Sequence, residues 1–148
     1  VSDQKFAFDL NADGSSENIS YLGSGSGFLA LDKNGNGSID DGNELFGTAS
    51  GNGFKDLALY DEDKNGWIDE NDSVFNELKV WFKNDDGTDS LISLKKADVG
   101  AIYLGSAGTE FSLKSEDNSS TNAVIRRSGI FLKESGGAGT IQHLDMAL

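Results

Sequence analysis

The chain has 148 residues and a net charge of −13 at neutral pH, from 25 Asp and Glu against 12 Lys and Arg. That balance argues against nucleic acid and against insertion into or adhesion to an anionic membrane, since both partners select basic surfaces. The absence of Cys excludes disulfides, thiolate zinc sites and cysteine nucleophiles, and the single His143 cannot build a histidine-rich metal site.

A hydrophobic content of 36% with nine Phe is enough for a folded core, and the length suits one domain over residues 1–148. No apolar run approaches membrane-spanning length. Val1-Ser2-Asp3-Gln4-Lys5 lacks the apolar centre of a signal peptide, so no export signal is visible in this chain.

In chain order, Lys5–Phe8 reads as a short strand running into an Asx-rich loop, and Ile19–Leu22 as a strand leaving it. Gly23–Gly27 is a flexible connector, and Phe28–Leu31 leads into a second Asx-rich loop. Gly42–Gly47 has room for about one helical turn. Gly53–Tyr60 carries apolar residues at helical spacing and delivers a third loop. Glu70–Leu78 follows, with Val74, Phe75 and Leu78 on one helical face. Beyond it, Lys79–Lys83, Ala101–Leu104, Thr109–Lys114, Ala123–Lys133 and Thr140–Leu148 read as strands, and Ser93–Asp98 as a short Ser-capped helix. The expected fold class is α+β: paired EF-hand-like loops with short helices, about residues 1–78, on a mainly antiparallel sheet, about residues 79–148.

The three loops repeat one motif, Asp-x-Asn/Asp-x-Asn/Asp-Gly, at Asp9–Gly14, Asp32–Gly37 and Asp61–Gly66. Calcium takes six to eight oxygen ligands. In an EF-hand loop, positions 1, 3 and 5 supply side chains, 7 a backbone carbonyl, 9 often a water-mediated contact and 12 a closing carboxylate, with Gly at 6 making the turn. The third loop fits with Asp61, Asp63, Asn65, the Trp67 carbonyl, Asp69 and Asp72. Its one departure is Asp in place of Glu at position 12.

The second loop offers Asp32, Asn34, Asn36, the Ser38 carbonyl and Asp40. Its closing ligand is either Asn43 at position 12 or Glu44 one residue later. Glu44 is preferred, because two neutral Asn ligands leave the site short of charge. Ile39 and Ile68, both at position 8, would pair loops two and three as a compact EF-hand pair. The first loop offers Asp9, Asn11, Asp13, the Ser15 carbonyl and Glu17, with Ser20 a poor residue at position 12. Calcium is expected in loops two and three, with loop one a third candidate. Asn84–Gly87 reads as a hairpin turn rather than a fourth site.

The run Gly27–Gly47, with Gly53-Phe54, Leu57–Asp72 and Leu78–Trp81, resembles a calcium-binding module of large secreted bacterial proteins of the RTX type. It is similar to their calcium-dependent self-processing module. That resemblance implies calcium-driven folding and an extracellular or cell-surface location. In the self-processing module it also implies cleavage of an Asp-Pro bond at the N-terminal edge. This sequence contains no Pro, so any such bond would have to lie upstream.

Three roles follow as expectations. The first is a non-enzymatic structural or adhesive calcium module within a larger secreted protein. The second is self-processing of an upstream bond, and the third a dockerin-like partner-binding module. No nucleophile–His pairing marks a hydrolase. His143 reads as a surface or edge residue of the last strand, Trp67 and Trp81 as core rather than sugar platforms, and Arg126-Arg127 as a solvated strand position.

Overall fold

In a computed structural model that describes every residue except Ser24, Asp85 and Leu148, the apolar runs become strands. Ten are present: β1 (Lys5–Phe8), β2 (Glu17–Ser20), β3 (Phe28–Leu31), β4 (Trp67–Ile68), β5 (Leu78–Lys83), β6 (Asp89–Ser93), β7 (Val99–Tyr103), β8 (Ala107–Lys114), β9 (Thr121–Lys133) and β10 (Ala138–Met146). They form three antiparallel sheets: β1-β2, β3-β5-β6, and a five-stranded sheet in order β10-β9-β7-β4 with β8 also paired to β9.

This corrects the α+β expectation, because the protein is mostly β. Among the described residues the one α-helix, α1, spans only Gly53–Ala58. It forms where expected: the Asn52 side chain accepts from the Phe54 and Lys55 amides as an N-cap (3.0 and 3.3 Å). It ends after six residues as the chain tightens into loop three, with the Asp61 amide donating to the Ala58 carbonyl (3.2 Å).

The helix expected over Glu70–Leu78 is absent. Only Ser73–Asn76 makes a 3₁₀ turn, and Leu78 starts β5, opposite Leu31 of β3. A helix of two turns barely recovers its nucleation cost, whereas β5 is hydrogen-bonded on both edges, by β3 and β6. The expected helix at Ser93–Asp98 is likewise one Ser-capped turn, stopped by Asp98 at φ +63°. Gly42–Glu44 makes the expected single turn, as 3₁₀ helix.

The EF-hand pair is also absent. Trp67 and Ile68 of loop three pair with Tyr103 and Ile102 of β7, not with loop two. Ile68 is buried with Leu57, Val74, Phe75 and Leu78, and Ile39 in a second cluster with Phe6, Phe8, Ile19, Ala30 and Trp81. The loops therefore border different cores: one and two the Trp81 cluster, three the Phe75 cluster. Trp81 is 1% exposed and core, as expected; Trp67 is half-buried against Tyr103, with ring centroids 4.9 Å apart.

Candidate calcium-binding loops

The motif folds the same way three times. The position-6 Gly adopts a left-handed backbone in each loop (Gly14 φ +91°, Gly37 +81°, Gly66 +85°). Position 4 is left-handed too, at Ala12 (+57°), Gly35 (+69°) and Lys64 (+53°). Two non-glycine residues hold a conformation that costs L-residues energy, so the surrounding bonds must enforce it.

Those bonds are visible. The position-6 amide donates to the position-1 carboxylate: Gly14 to Asp9 (2.9 Å), Gly37 to Asp32 (2.7 Å) and Gly66 to Asp61 (3.0 Å). The position-7 amide donates to the position-5 oxygen: Ser15 to Asp13 (2.8 Å), Ser38 to Asn36 (3.0 Å) and Trp67 to Asn65 (2.9 Å). The position-5 amide donates to position 3, at Asn11, Asn34 and Asp63. Short Asx side chains are the ones able to accept from amides two residues on.

A closing carboxylate also recurs. In loop three, Asp72 is fully buried and accepts from the Glu62 amide (2.8 Å) and the Asp69 amide (3.1 Å). In loop two, Glu44 is 4% exposed and accepts from the Lys33 amide (2.8 Å) and the Asp40 amide (2.8 Å). These are positions 2 and 9 in both cases. Glu44 is therefore the structural counterpart of Asp72, with its longer side chain offsetting one extra residue. Asn43 is exposed, and its amide donates to Asp41 (2.9 Å).

In loop one the closing acid is Glu17, which accepts from the position-2 amide of Leu10 (3.0 Å). Glu17 stands at position 9 by count from Asp9 and takes the bond that Asp72 and Glu44 take in the other loops. The β1-β2 register puts Glu17 opposite Phe8, beside Asp9, while Ser20 is buried in β2 away from the loop oxygens.

The loops differ in where their charges go. Carboxylate oxygens of Asp61, Asp63 and Asp72 lie within 4.8 Å of one another, as do those of Asp9, Asp13 and Glu17. Asp61 Oδ1 is buried with no hydrogen-bond partner. Such an oxygen beside two more carboxylates is an arrangement that could hold a hard cation. Loop desolvation raises the Asp63 carboxyl above its ordinary range. Contact with Asp61 and the charges of Asp72 and Asp69 push the same way, against the lowering effect of the Asn65 amide.

In loop two, Asp40 accepts from both Asn34 Nδ2 and Asn36 Nδ2 (2.8 Å each), bonds that lower its pKa. Glu44 is pushed up, first by burial and also by Asp32 and Asp40, although its two amide bonds pull it down. Asp69 of loop three accepts from the Asn71 amide (3.0 Å) and Asn65 Nδ2 (3.2 Å).

Some residues escaped the sequence reading. Glu62 clamps loop three by accepting from the Ser73 amide (2.8 Å) and hydroxyl. Asp56 of α1 accepts from the Gly47 amide (2.9 Å), tying the exit of loop two to the helix that enters loop three. His143, expected as a surface or edge residue, lies on edge strand β10 but is only 9% exposed. Its Nδ1 accepts from the Gly53 amide (2.8 Å), so Nε2 carries the proton toward Asp145 (3.0 Å) and the ring pins edge strand β10 to the start of α1. Only its position as the lone His hinted at this. Arg126 is exposed and paired with Asp145 and Glu110, as a solvated strand residue should be. The Asn84–Gly87 segment closes as a turn, the Gly87 amide donating to the Asn84 carbonyl (2.9 Å); Asp85 lies outside the described residues.

A repeated oxygen-lined loop with its closing acid thus stands on strands rather than on helix pairs. The family model of the SPM domain matches residues 1–147, and the chain belongs to the SPM domain family.

Proposed function

We propose that this domain is a non-enzymatic calcium-binding module, structural or adhesive, of a larger secreted or surface protein, and that calcium stabilises its fold. The buried, unpartnered Asp61 Oδ1 beside Asp63 and Asp72 carries this reading. In loop three the ion would be held by Asp61, Asp63, Asn65, the Trp67 carbonyl and Asp72, with Asp69 near the shell. Loop two would use Asp32, Asn34, Asn36, the Ser38 carbonyl, Asp40 and Glu44. Loop one would use Asp9, Asn11, Asp13, the Ser15 carbonyl and Glu17.

The bound ion supplies positive charge that offsets the mutual repulsion of these carboxylates. Extracellular modules bind calcium with Kd of about 10⁻⁴–10⁻³ M, so such loops fill at millimolar external calcium and favour folding after export. Calorimetric titration tests this. Wild type is expected to bind three calcium ions and Asp61→Ala two. No heat of binding at millimolar calcium would overturn the reading.

A second reading, self-processing of an upstream Asp-Pro bond, is favoured by how the first residues are held. The Ser2 amide donates to the Tyr21 carbonyl (2.7 Å), while Asp3 accepts from the Glu116 amide (3.0 Å) and Asn122 Nδ2 (2.8 Å). Incubating a longer chain that carries such a bond with calcium, then resolving the products on a gel, separates the two readings.

A further inference from the structure

Loops one and two meet at a seam that the motif does not announce. Gly42 opens the 3₁₀ turn that presents Glu44, and its amide donates to the Asp9 carbonyl (2.9 Å). Asp9 and Asp41 form an isolated parallel bridge at the same point. The Asp9–Leu10 peptide is therefore held from both sides. Its oxygen accepts from the closing turn of loop two, and its N–H donates to Glu17, the closing acid of loop one (3.0 Å).

Gly42 is buried, and a Cβ there would overlap the Leu10 carbonyl oxygen and crowd Thr48 Cγ2 at 3.1 Å. Its φ is not left-handed, so close approach alone demands glycine. The Thr48 hydroxyl locks the turn from behind, donating to the Gly42 carbonyl (2.8 Å). Loop three makes none of these seam bonds: it closes on Asp72 and pairs with β7, and its tie to loop two is the separate Gly47–Asp56 bond through α1.

We infer that loops one and two form one coupled calcium unit, in which an ion in either loop raises the affinity of the other, with loop three binding independently. This rests on the calcium reading above. The physical route is short. Glu44 orders the turn at 42–44 through the Lys33 and Asp40 amides. That turn positions the Asp9–Leu10 peptide, which in turn aligns Asp9 and Glu17. Hydrogen bonds on both ends of one peptide group reinforce each other by polarisation. Thermodynamic linkage makes the effect reciprocal, and couplings of this kind amount to about 5- to 150-fold in affinity.

The test is an NMR calcium titration of the full chain that follows the amides of Gly14, Gly37 and Gly66, one reporter per loop. In Gly42→Ala, the Gly14 and Gly37 midpoints are expected to rise at least about fivefold while Gly66 stays within about twofold. In Asp32→Ala, which leaves the seam residues in place, the Gly37 response should vanish and the Gly14 midpoint should rise by a similar factor. This second variant decides the matter if Gly42→Ala does not fold. A Gly14 midpoint unmoved in Asp32→Ala overturns the coupling and leaves calcium binding intact. So does a wild type in which only Gly37 and Gly66 respond. A wild type in which none of the three amides responds overturns the calcium reading itself, and the coupling with it.

Discussion

Loops two and three share a backbone path, a left-handed position 4, a glycine at 6 and a buried closing acid, yet they treat their charge in opposite ways. Loop three gathers Asp61, Asp63 and Asp72 and leaves one buried oxygen without a partner. Loop two has Asn34 where loop three has Asp63, and the amides of Asn34 and Asn36 both turn onto Asp40, whereas in loop three Asn65 alone turns onto Asp69. The Asn side chains supply donors that make loop two self-sufficient at the cost of ligand charge. Similar loop backbones thus carry two different arrangements of charge and hydrogen bonding.

The largest break in that contrast is Asp61→Ala. At calcium a hundredfold above Kd, a bound ion contributes about 2.7 kcal/mol, or about 5–10 °C of Tm in a chain of this size. Thermal melts at that hundredfold excess, about 10–100 mM calcium for a Kd of about 10⁻⁴–10⁻³ M, should show that drop, and melts in chelator should show much less. An equal loss in both conditions would mean Asp61 serves the fold rather than an ion.

Next in size is the closing acid. Glu44→Ala leaves the Lys33 and Asp40 amides unpaired and should cost about 1–3 kcal/mol or more in denaturant unfolding. Asn43→Ala should stay within about 0.5 kcal/mol. The reverse order would make Asn43 the closing residue.

Swapping the two arrangements gives a smaller effect of predictable sign. Asn34→Asp should raise loop-two calcium affinity on the order of tenfold and lower the calcium-free stability, because a donor to Asp40 becomes a competing charge. Asp63→Asn should do the opposite in loop three. The raised Asp63 pKa means the calcium-free fold favours its neutral form, so stability from that group is lost as pH rises through the raised value. At neutral pH an amide there relieves the repulsion while weakening the site. Paired calorimetry and chelator melts check both signs.

The smallest effect lies far from the loops, as a reference for ordinary Asx chemistry. Asp117 accepts from the Ser119 hydroxyl and amide and from Ser115, which lowers its pKa to about 2. A depressed carboxylate stabilises the fold above its ordinary pKa of 3.8, and that contribution is lost as pH falls through about 2. The group is exposed, so the change should be confined to the 115–120 turn. A carboxyl titration by NMR reads it directly, and a midpoint near the ordinary value would refute it.

How much of this was legible beforehand varies by level. The strand at Lys5–Phe8 stands where the sequence reading put it, and α1 begins at Gly53, where the apolar spacing put a helix. The helix proposed over Glu70–Leu78 failed because Val74, Phe75 and Leu78 suit a helical face and a turn-plus-strand equally well. The β3 and β6 edges chose between them. Glu17 could be counted as position 9 from the sequence, but only the hairpin register shows it next to Asp9.

The sequence by itself determined the inside of each loop. Asx oxygens at alternate positions and a glycine at the sixth act through bonds two to five residues long, which no distant contact is needed to make. Only the tertiary structure decided what surrounds the loops. It set Glu44 as the closing acid of loop two, paired loop three with β7, and laid Gly42 against the Asp9–Leu10 peptide. Those choices depend on sheet register and on which cluster buries Ile39 and Ile68, and burial is a property of the assembled chain rather than of any short stretch of it.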